Sequence, residues 1–486
     1  MLRGLRVPAI VLALCFAPAA GAAPQVELTP ALGGWSRPDR TTEIGVRVRA
    51  DTATRGTLGI AAGPQSVRTR FELAAGETLR LDIPVASGAT LDATVELEGA
   101  PAERRPIALS LSESPLLGAA LASGQSARLA GFHGVALVAG DLPRNASAYA
   151  SLDALVLDEG TLRALDTRQL AALIGFAASC GRIALVSADP GAWRVLEAAA
   201  GCGRRMLVAG ASLDEALGRL QDSLAEPAGG AVTAADLGAL AKTGAAAWPR
   251  VVAALAVFFA AAALALIFVP SMPALLLVPL LATAVLAALL HAWEPRSRLV
   301  VWAEAEPSAR VAQYQAWQQV QGLARGRLTM ATLAGLGQPR PCDRHRSARL
   351  ELDAGRGQLA SVDFDARLFE PVALCYSGTF PVMRAFGVTA IGAGRVEVRN
   401  EGTLASPPGV FLAGGHVQDL PALAPGAAAT LRLETGRPPQ DAATRAALAR
   451  TPYAGFGLLW PLQLDTVADA PADAAAWLFV PVAEAT

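Results

Sequence analysis

Apolar and polar residues trade places at nearly every position in a series of short stretches between Pro24 and about Ser112: "TEIGVRVRA", "GTLGIA", "SVRTRFEL", "TLRLDIPV", "LDATVELE" and "RPIALSL". That period of two belongs to a strand with one buried and one solvated face. Gly, Pro and Asp separate the stretches at intervals of about ten residues, which predicts a β-sandwich over 24–112. From 113 to 245 the texture changes. "GVALVAG" (134–140), "LDALVLDEG" (152–160), "RIALVSADP" (182–190) and "RRMLVAG" (204–210) are apolar runs of strand length with helix-like segments between them. One segment runs from Asp166, a candidate N-cap, to Gly181, a candidate C-cap. Continuous apolar strands alternating with helices predict an α/β domain built on a parallel sheet covered on both faces.

Two longer runs follow, "VVAALAVFFAAAALALIFV" (251–269) and "ALLLVPLLATAVLAALLHAW" (274–293), and neither holds an acidic or basic residue. Each approaches the roughly 20 residues a helix needs to cross a bilayer. The expected elements are transmembrane helices over 249–270 and 274–293, joined by a turn bracketed by Pro270 and Pro273 and flanked by the interface aromatics Trp248 and Trp293. Beyond the hairpin, 296–486 alternates again in "SRLVVWAEAE", "ARLELDA", "GRVEVRNEG", "GVFLAG" and "AAATLRLETG", predicting a C-terminal β-rich domain, a second sandwich. "YQAWQQVQGLARG" (314–326) is read as its one short helix.

The N-terminus changes the picture of compartment. Arg3 and Arg6, an apolar run from Val7 to Ala17, and a small-residue ending at Ala22 form a secretory signal peptide pattern over 1–22. Cys15 falls inside the apolar run and reads as filler. Export followed by two crossings leaves both large regions on the periplasmic side of a bacterial inner membrane. The charge pattern pulls the other way, since Arg250, Arg296 and Arg298 flank the hairpin on its outer side. The "PSMP" connection is too short to carry a charge signal, so the export signal decides.

Composition adds little chemistry. The 486 residues are 53% hydrophobic with net charge −1, so no basic surface recruits nucleic acid. Apart from Lys242 all 41 basic residues are arginine, a genome-composition bias that weakens any arginine as a site marker. Aromatic residues are 5% of the chain, which argues against carbohydrate platforms on the sandwiches.

The order of these elements, with "GGWSRPDRTTEIGVRVRA" in the sandwich and "LDALVLDEGTLRALDTRQLAALIGFAASCGRIALVS" in the α/β module, resembles a group of bacterial envelope membrane proteins. Their α/β module is similar to the class I glutamine amidotransferase fold, and related modules occur in auxiliary subunits of ABC-type transport and gliding systems. Cys180 and Gly181 stand where such modules carry a Gly-Gly pair. The resemblance implies a non-catalytic relative of the enzyme fold.

The candidate residues agree with that implication. A catalytic cysteine of this fold needs a strand-to-helix elbow and a later histidine. Cys180 and Cys202 both precede strands, and His133, the domain's one histidine, lies upstream of both. The histidines at 133, 291, 345 and 416 show no ligand spacing, so neither metal nor cofactor is expected. Asp141, Asp158, Glu159 and Asp189 fall at the carboxyl edge of the sheet, where ligands of α/β folds bind. A cation or sugar could use them, whereas the plainer assignment is capping of turns and helices. In an oxidising compartment Cys180 with Cys202 and Cys342 with Cys375 are expected to bridge within their own domains. The alternative is four free thiols, cysteine being also a common small buried residue. The function expected is that of a non-enzymatic, membrane-anchored periplasmic scaffold or binding protein, with the lipid bilayer and other envelope membrane proteins as partners. The competing expectation is a periplasmic hydrolase or amidotransferase-like enzyme acting at the carboxyl edge.

Overall fold

The computed structural model describes residues 24–482, apart from 197–206, 226–235, most of 241–295, and a number of shorter stretches and single positions, Cys180 among them. The protein is mostly β, with few helices and several sheets. The alternating stretches of the N-terminal region are strands. Gln25–Pro30, Thr41–Arg49 and Thr78–Ala86 form an antiparallel three-stranded sheet. Thr54–Ala62, Gln65–Leu73, Thr90–Leu97 and Glu103–Ala108 form an antiparallel run in a second sheet. Ile44, Val46, Val48, Leu81, Ile83, Leu58, Ile60, Leu91 and Val95 fill the space enclosed, as period-two alternation requires.

The second sheet does not stop at residue 108. Strand Gln65–Leu73 pairs in parallel with Ala348–Asp353, placing Val67 opposite Leu350. Gln358–Ala366 and Gly326–Ala331 extend the sheet to seven strands. The regions 24–112 and 296–486, delimited separately by their patterning, thus share one sheet and one continuous apolar core. Leu350, Leu352, Val362 and Phe364 sit in the same cluster as Val67, Phe71 and Leu73.

An eight-stranded sheet makes up most of the remaining C-terminal region, with Arg296–Glu304, Val311–Gln321, Pro371–Pro381, Phe456–Pro461 and Ala475–Val482 in it. Residues 311–321 correct an expectation: they form a strand, not a helix. In "YQAWQQVQ" Tyr314, Ala316 and Val320 enter the core, whereas Gln315, Trp317 and Gln319 occupy the other face. The interval is two; the run of glutamines had disguised it. The outer face of this sheet is covered by helix Ala442–Arg450 and by a turn of helix carrying Leu237 and Leu240, which pack on Trp302, Phe479 and Trp317.

Between these regions in sequence lies an open parallel sheet of five strands in the spatial order His133–Leu137, Leu116–Ala120, Ala154–Asp158, Ile183–Val186, Leu207–Gly210. Numbered along the chain, that order is 2-1-3-4-5. Helix Thr167–Ala178 puts Leu173 and Phe176 against Leu155, Leu157 and Leu185 on one face. Helix Leu213–Ala225 puts Ala216 and Leu220 against Val156 and Ala184 on the other. Burial on both faces is why the interior strands Leu116–Ala120, Ala154–Asp158 and Ile183–Val186 are almost wholly apolar.

Among the described residues no helix is long and apolar enough to cross a membrane. The signal peptide 1–22, the runs 249–270 and 274–293 with all but a few of their residues, and Trp248 and Trp293 lie outside the described residues.

Candidate functional site

Ligands of open parallel sheets bind at the carboxyl edge, where Asp141, Asp158, Glu159 and Asp189 fall. Between the carboxyl ends of Leu116–Ala120 and Ala154–Asp158 the order of strands reverses, and ligands of such sheets settle in the crevice at that point. Here Asp158 bridges the crevice. Its Oδ2 accepts the Ala122 N–H at 2.7 Å and its Oδ1 accepts the Thr161 N–H at 2.7 Å, capping helix Glu159–Ala164. Glu159 pairs with Arg163 and accepts the Ser187 hydroxyl at 3.1 Å. Asp189 Oδ1 accepts the Gly191 N–H at 2.7 Å, and Asp141 Oδ2 accepts the Val138 N–H at 3.0 Å. Asp158, Asp189 and Asp141 thereby close their own turns or helix start, and Glu159 is held by Arg163 and by Ser187 from the end of the next strand. His133 begins its strand and so lies at the opposite, amino edge, its ring 4.4 Å from that of Trp35. Among the described residues no group of three His, Cys, Asp or Glu side chains could hold a metal ion.

The cysteines divide in the same way. Cys342 and Cys375 form a disulfide with α-carbons 5.0 Å apart. Strand Arg340–Pro341 pairs with Leu374 and Cys375, and the Cys342 N–H donates to Ala373 O at 3.0 Å, so the backbone ladder brings the two together. Cys180 and Cys202 lie outside the described residues. The strands that follow them, Ile183–Val186 and Leu207–Gly210, are neighbours in register from their first residues.

A denser polar cluster lies where the N-terminal sandwich meets the α/β module, and "GGWSRPDRTTEIGVRV" builds its sandwich side. Leu32, Gly33 and Gly34 form a tight turn in which all three have positive φ. For Leu32, at φ 54°, that backbone costs roughly 1–2 kcal/mol. It carries the fully buried Leu32 side chain into the core of the neighbouring module, beside Leu137 and Leu155. Ser36 Oγ then meets Ser151 Oγ at 2.7 Å and also Ser87, and Ser151 Oγ donates to Thr41 O at 2.8 Å. Arg37 grips Asp153 with two bonds of 2.8 and 2.9 Å, and Asp153 Oδ2 accepts the Leu116 N–H at 2.9 Å. That last bond holds the start of strand Leu116–Ala120, next to the middle strand of the sheet.

Glu43 sits in the middle of this junction, only 3% exposed. One carboxylate oxygen accepts the Arg144 N–H at 3.0 Å, while Oε2 is buried with no hydrogen-bond partner among the described residues. Tyr149, fully buried and stacked on Phe176 with ring centroids 5.0 Å apart, also has its hydroxyl unpartnered. Burial pushes the Glu43 carboxyl up to about 7; the Arg144 N–H pulls against this, the nearby Asp82 charge adds to it, and the Asn145 N–H and the Arg144 charge oppose it more weakly. Burial, and after it the Glu43 charge, drives the Tyr149 hydroxyl upward as well. Around them Arg144 reaches Asp166 at 2.9 Å and Asp82 at 3.8 Å, and Arg168 reaches Asp82 at 3.7 Å. A buried carboxyl titrating near neutrality is a marker of functional sites, and sequence reasoning had passed Glu43 over. In an alternating strand it reads as one more solvated position.

No protein-family model matches this chain, and no curated protein does. Two solved structures of the yeast delta-COP mu-homology domain, one complexed with a Dsl1 WxWxV peptide and one alone, overlap 39% of this chain and 97% of their own. The sequence identity is 10% in both, and the TM-scores are 0.20 and 0.19. Likeness at that level carries no argument about fold or function.

Proposed function

We propose that this chain is a non-enzymatic, membrane-anchored scaffold or binding protein of the bacterial envelope, with an amidotransferase-like α/β module displayed on the periplasmic side. The observation that carries this is the shared seven-stranded sheet. Gln65–Leu73 precedes the two apolar runs in sequence and Ala348–Asp353 follows them, yet the two strands are hydrogen-bonded neighbours. Two strands on opposite sides of a bilayer cannot pair, because the hydrocarbon core separates them by roughly 30 Å. If the runs 251–269 and 274–293 cross a membrane, both flanks must therefore lie on one side, as a two-helix hairpin demands. Leu240 and the start of Arg296–Glu304 lie on either side of the apolar segment in sequence, and both belong to the same eight-stranded sheet and its covering layer. The export signal and the Cys342–Cys375 disulfide favour the oxidising side. For the α/β module, the use of Asp158 and Asp189 as local caps and the pairing of Glu159 with Arg163 favour a role in binding over one in catalysis.

Reporter fusions test the topology. A phosphatase that is active only after export, fused after residue 245 and at the C-terminus, is expected to be active at both positions. A cytoplasmic signal at either position would overturn the hairpin. Replacing Asp158 and Glu159 together by Asn and Gln is expected to leave complementation of a deletion strain unchanged, whereas loss of complementation with the fold intact would favour the enzyme.

A further inference from the structure

We propose that the junction between the N-terminal sandwich and the α/β module is a proton-controlled latch, closed while Glu43 carries its proton and loosened when Glu43 ionises. The geometry comes first. Glu43 projects from strand Thr41–Arg49 of one module and takes its hydrogen bond from Arg144 of the other. Among the described residues its second oxygen is enclosed without a partner, and so is the hydroxyl of Tyr149 from the 3-10 helix Ala146–Ser151. A neutral carboxyl can stay in such a place. An ionised one leaves an acceptor-only oxygen stripped of water, which is among the costlier arrangements a junction can contain.

The charges facing Glu43 from the packed elements do not remove that cost. From Thr78–Ala86 comes Asp82, whose like charge opposes ionisation. From the α/β side comes Arg144, which would favour it, but its guanidinium is drawn off to Asp166 and Asp82. Arg168, at the start of helix Thr167–Ala178, is likewise directed to Asp82. On the strand's own face Arg47 is paired with Glu27 of Gln25–Pro30 at 3.5 Å. The cations near Glu43 are thus already shared among other carboxylates, and burial decides the balance.

The sign follows from linkage. An exposed glutamate loses its proton near 4.5 and Glu43 in the closed junction holds it to about 7. Between those values the open form binds fewer protons, so raising the pH favours opening. From pH 6 to pH 8 the closing equilibrium weakens about tenfold by this group alone. The rest of the junction is built to survive that change: Arg37 with Asp153, and Ser36 with Ser151, continue to join the modules when Glu43 lets go. The outcome is a hinge that slackens and does not fall apart. Its chemistry holds whichever compartment the chain occupies.

Hydrogen exchange on the full detergent-solubilised chain tests the latch. Peptides covering 41–45 and 143–152 are followed from pH 5 to pH 8, with rates corrected for intrinsic base catalysis. Wild type is expected to lose about tenfold of its protection in these peptides between pH 6 and pH 8. In Glu43→Gln, which keeps an acceptor for Arg144 and cannot ionise, the protection is expected to be flat with pH. Asp82→Asn removes the opposing charge and is expected to shift the wild-type midpoint to lower pH. A flat wild-type profile, a Glu43→Gln profile parallel to wild type, or an unmoved midpoint in Asp82→Asn would each overturn the proposal. Should Glu43→Gln fail to fold, the Asp82→Asn midpoint decides alone.

Discussion

Two seams hold this molecule together, and they are made of different material. The seam between the N- and C-terminal β regions is a parallel strand pair, Gln65–Leu73 with Ala348–Asp353, backed by Val67, Phe71, Leu350 and Leu352 in one apolar core. The seam between the sandwich and the α/β module is polar: Arg37 with Asp153, three serines, and a buried Glu43. Apolar burial has no preferred partner and no titration, so the first seam serves permanence. Buried hydrogen bonds are directional and costly to leave unmade, so the second fixes an orientation and exposes it to chemical control.

The contrast can be tested by perturbing each side in turn, the largest effect first. Replacing Cys342 and Cys375 by Ala releases a 33-residue loop beside the apolar seam, with an expected loss of about 3.7 kcal/mol in the chain-entropy picture. Urea unfolding under non-reducing conditions reads it. Leu350→Ala, at the seam itself, should cost about 3 kcal/mol by lost burial and the cavity left behind, with no dependence on pH. Asp153→Ala breaks the polar seam, orphans Arg37 and frees the Leu116 N–H; about 2 kcal/mol is expected, because bonds to charged groups are worth that and the pair is partly solvated. Its distinguishing mark would be raised exchange in residues 113–122 while peptides 65–73 and 348–353 stay protected. Changing pH alone should separate the seams further. Glu43 carries a raised carboxyl, so its contribution is intact at low pH and is lost as pH climbs from 4.5 through about 7. Between pH 6 and pH 8 the cost is about 1.4 kcal/mol, absent in Glu43→Gln. The smallest effect expected is from Asp158→Ala, about 1 kcal/mol for a lost helix cap, read as a shift in thermal midpoint. A far larger loss there, or loss of a bound ligand, would make the carboxyl edge more than a row of caps.

Much of the local structure was legible along the chain. Alternation marked all six of the stretches read as strands between 24 and 112, and Asp166 marked the start of helix Thr167–Ala178, where it makes a full capping box with Gln169. Legibility failed where the pattern had no period. Leu116–Ala120, "LLGAA", is an interior strand of the parallel sheet and is buried on both faces, so no polar residue betrays its spacing. In Val311–Gln321 the polar face is glutamine and the buried face includes Gln318, which accepts the Tyr376 hydroxyl at 2.5 Å, and the alternation blurs into something resembling a helix.

Of the candidate site, the sequence could name residues and not their surroundings. Placing Asp158 at a strand end followed from a run of apolar residues stopping at an acid, and that is where it lies. Nothing in "TTEIGV" told that Glu43 would be sealed beneath Arg144 and Tyr149, because desolvation depends on what another module lays over the strand. The same holds for the pairing of Gln65–Leu73 with Ala348–Asp353: with the α/β module and both apolar runs between them, no local signal favours one distant edge over another. By itself the sequence determined the alternating strands and the capped helix starts, consequences of near-neighbour periodicity and backbone preference. The tertiary structure alone decided which edges meet and which acid is buried, since partner choice and solvation are properties of the packed whole.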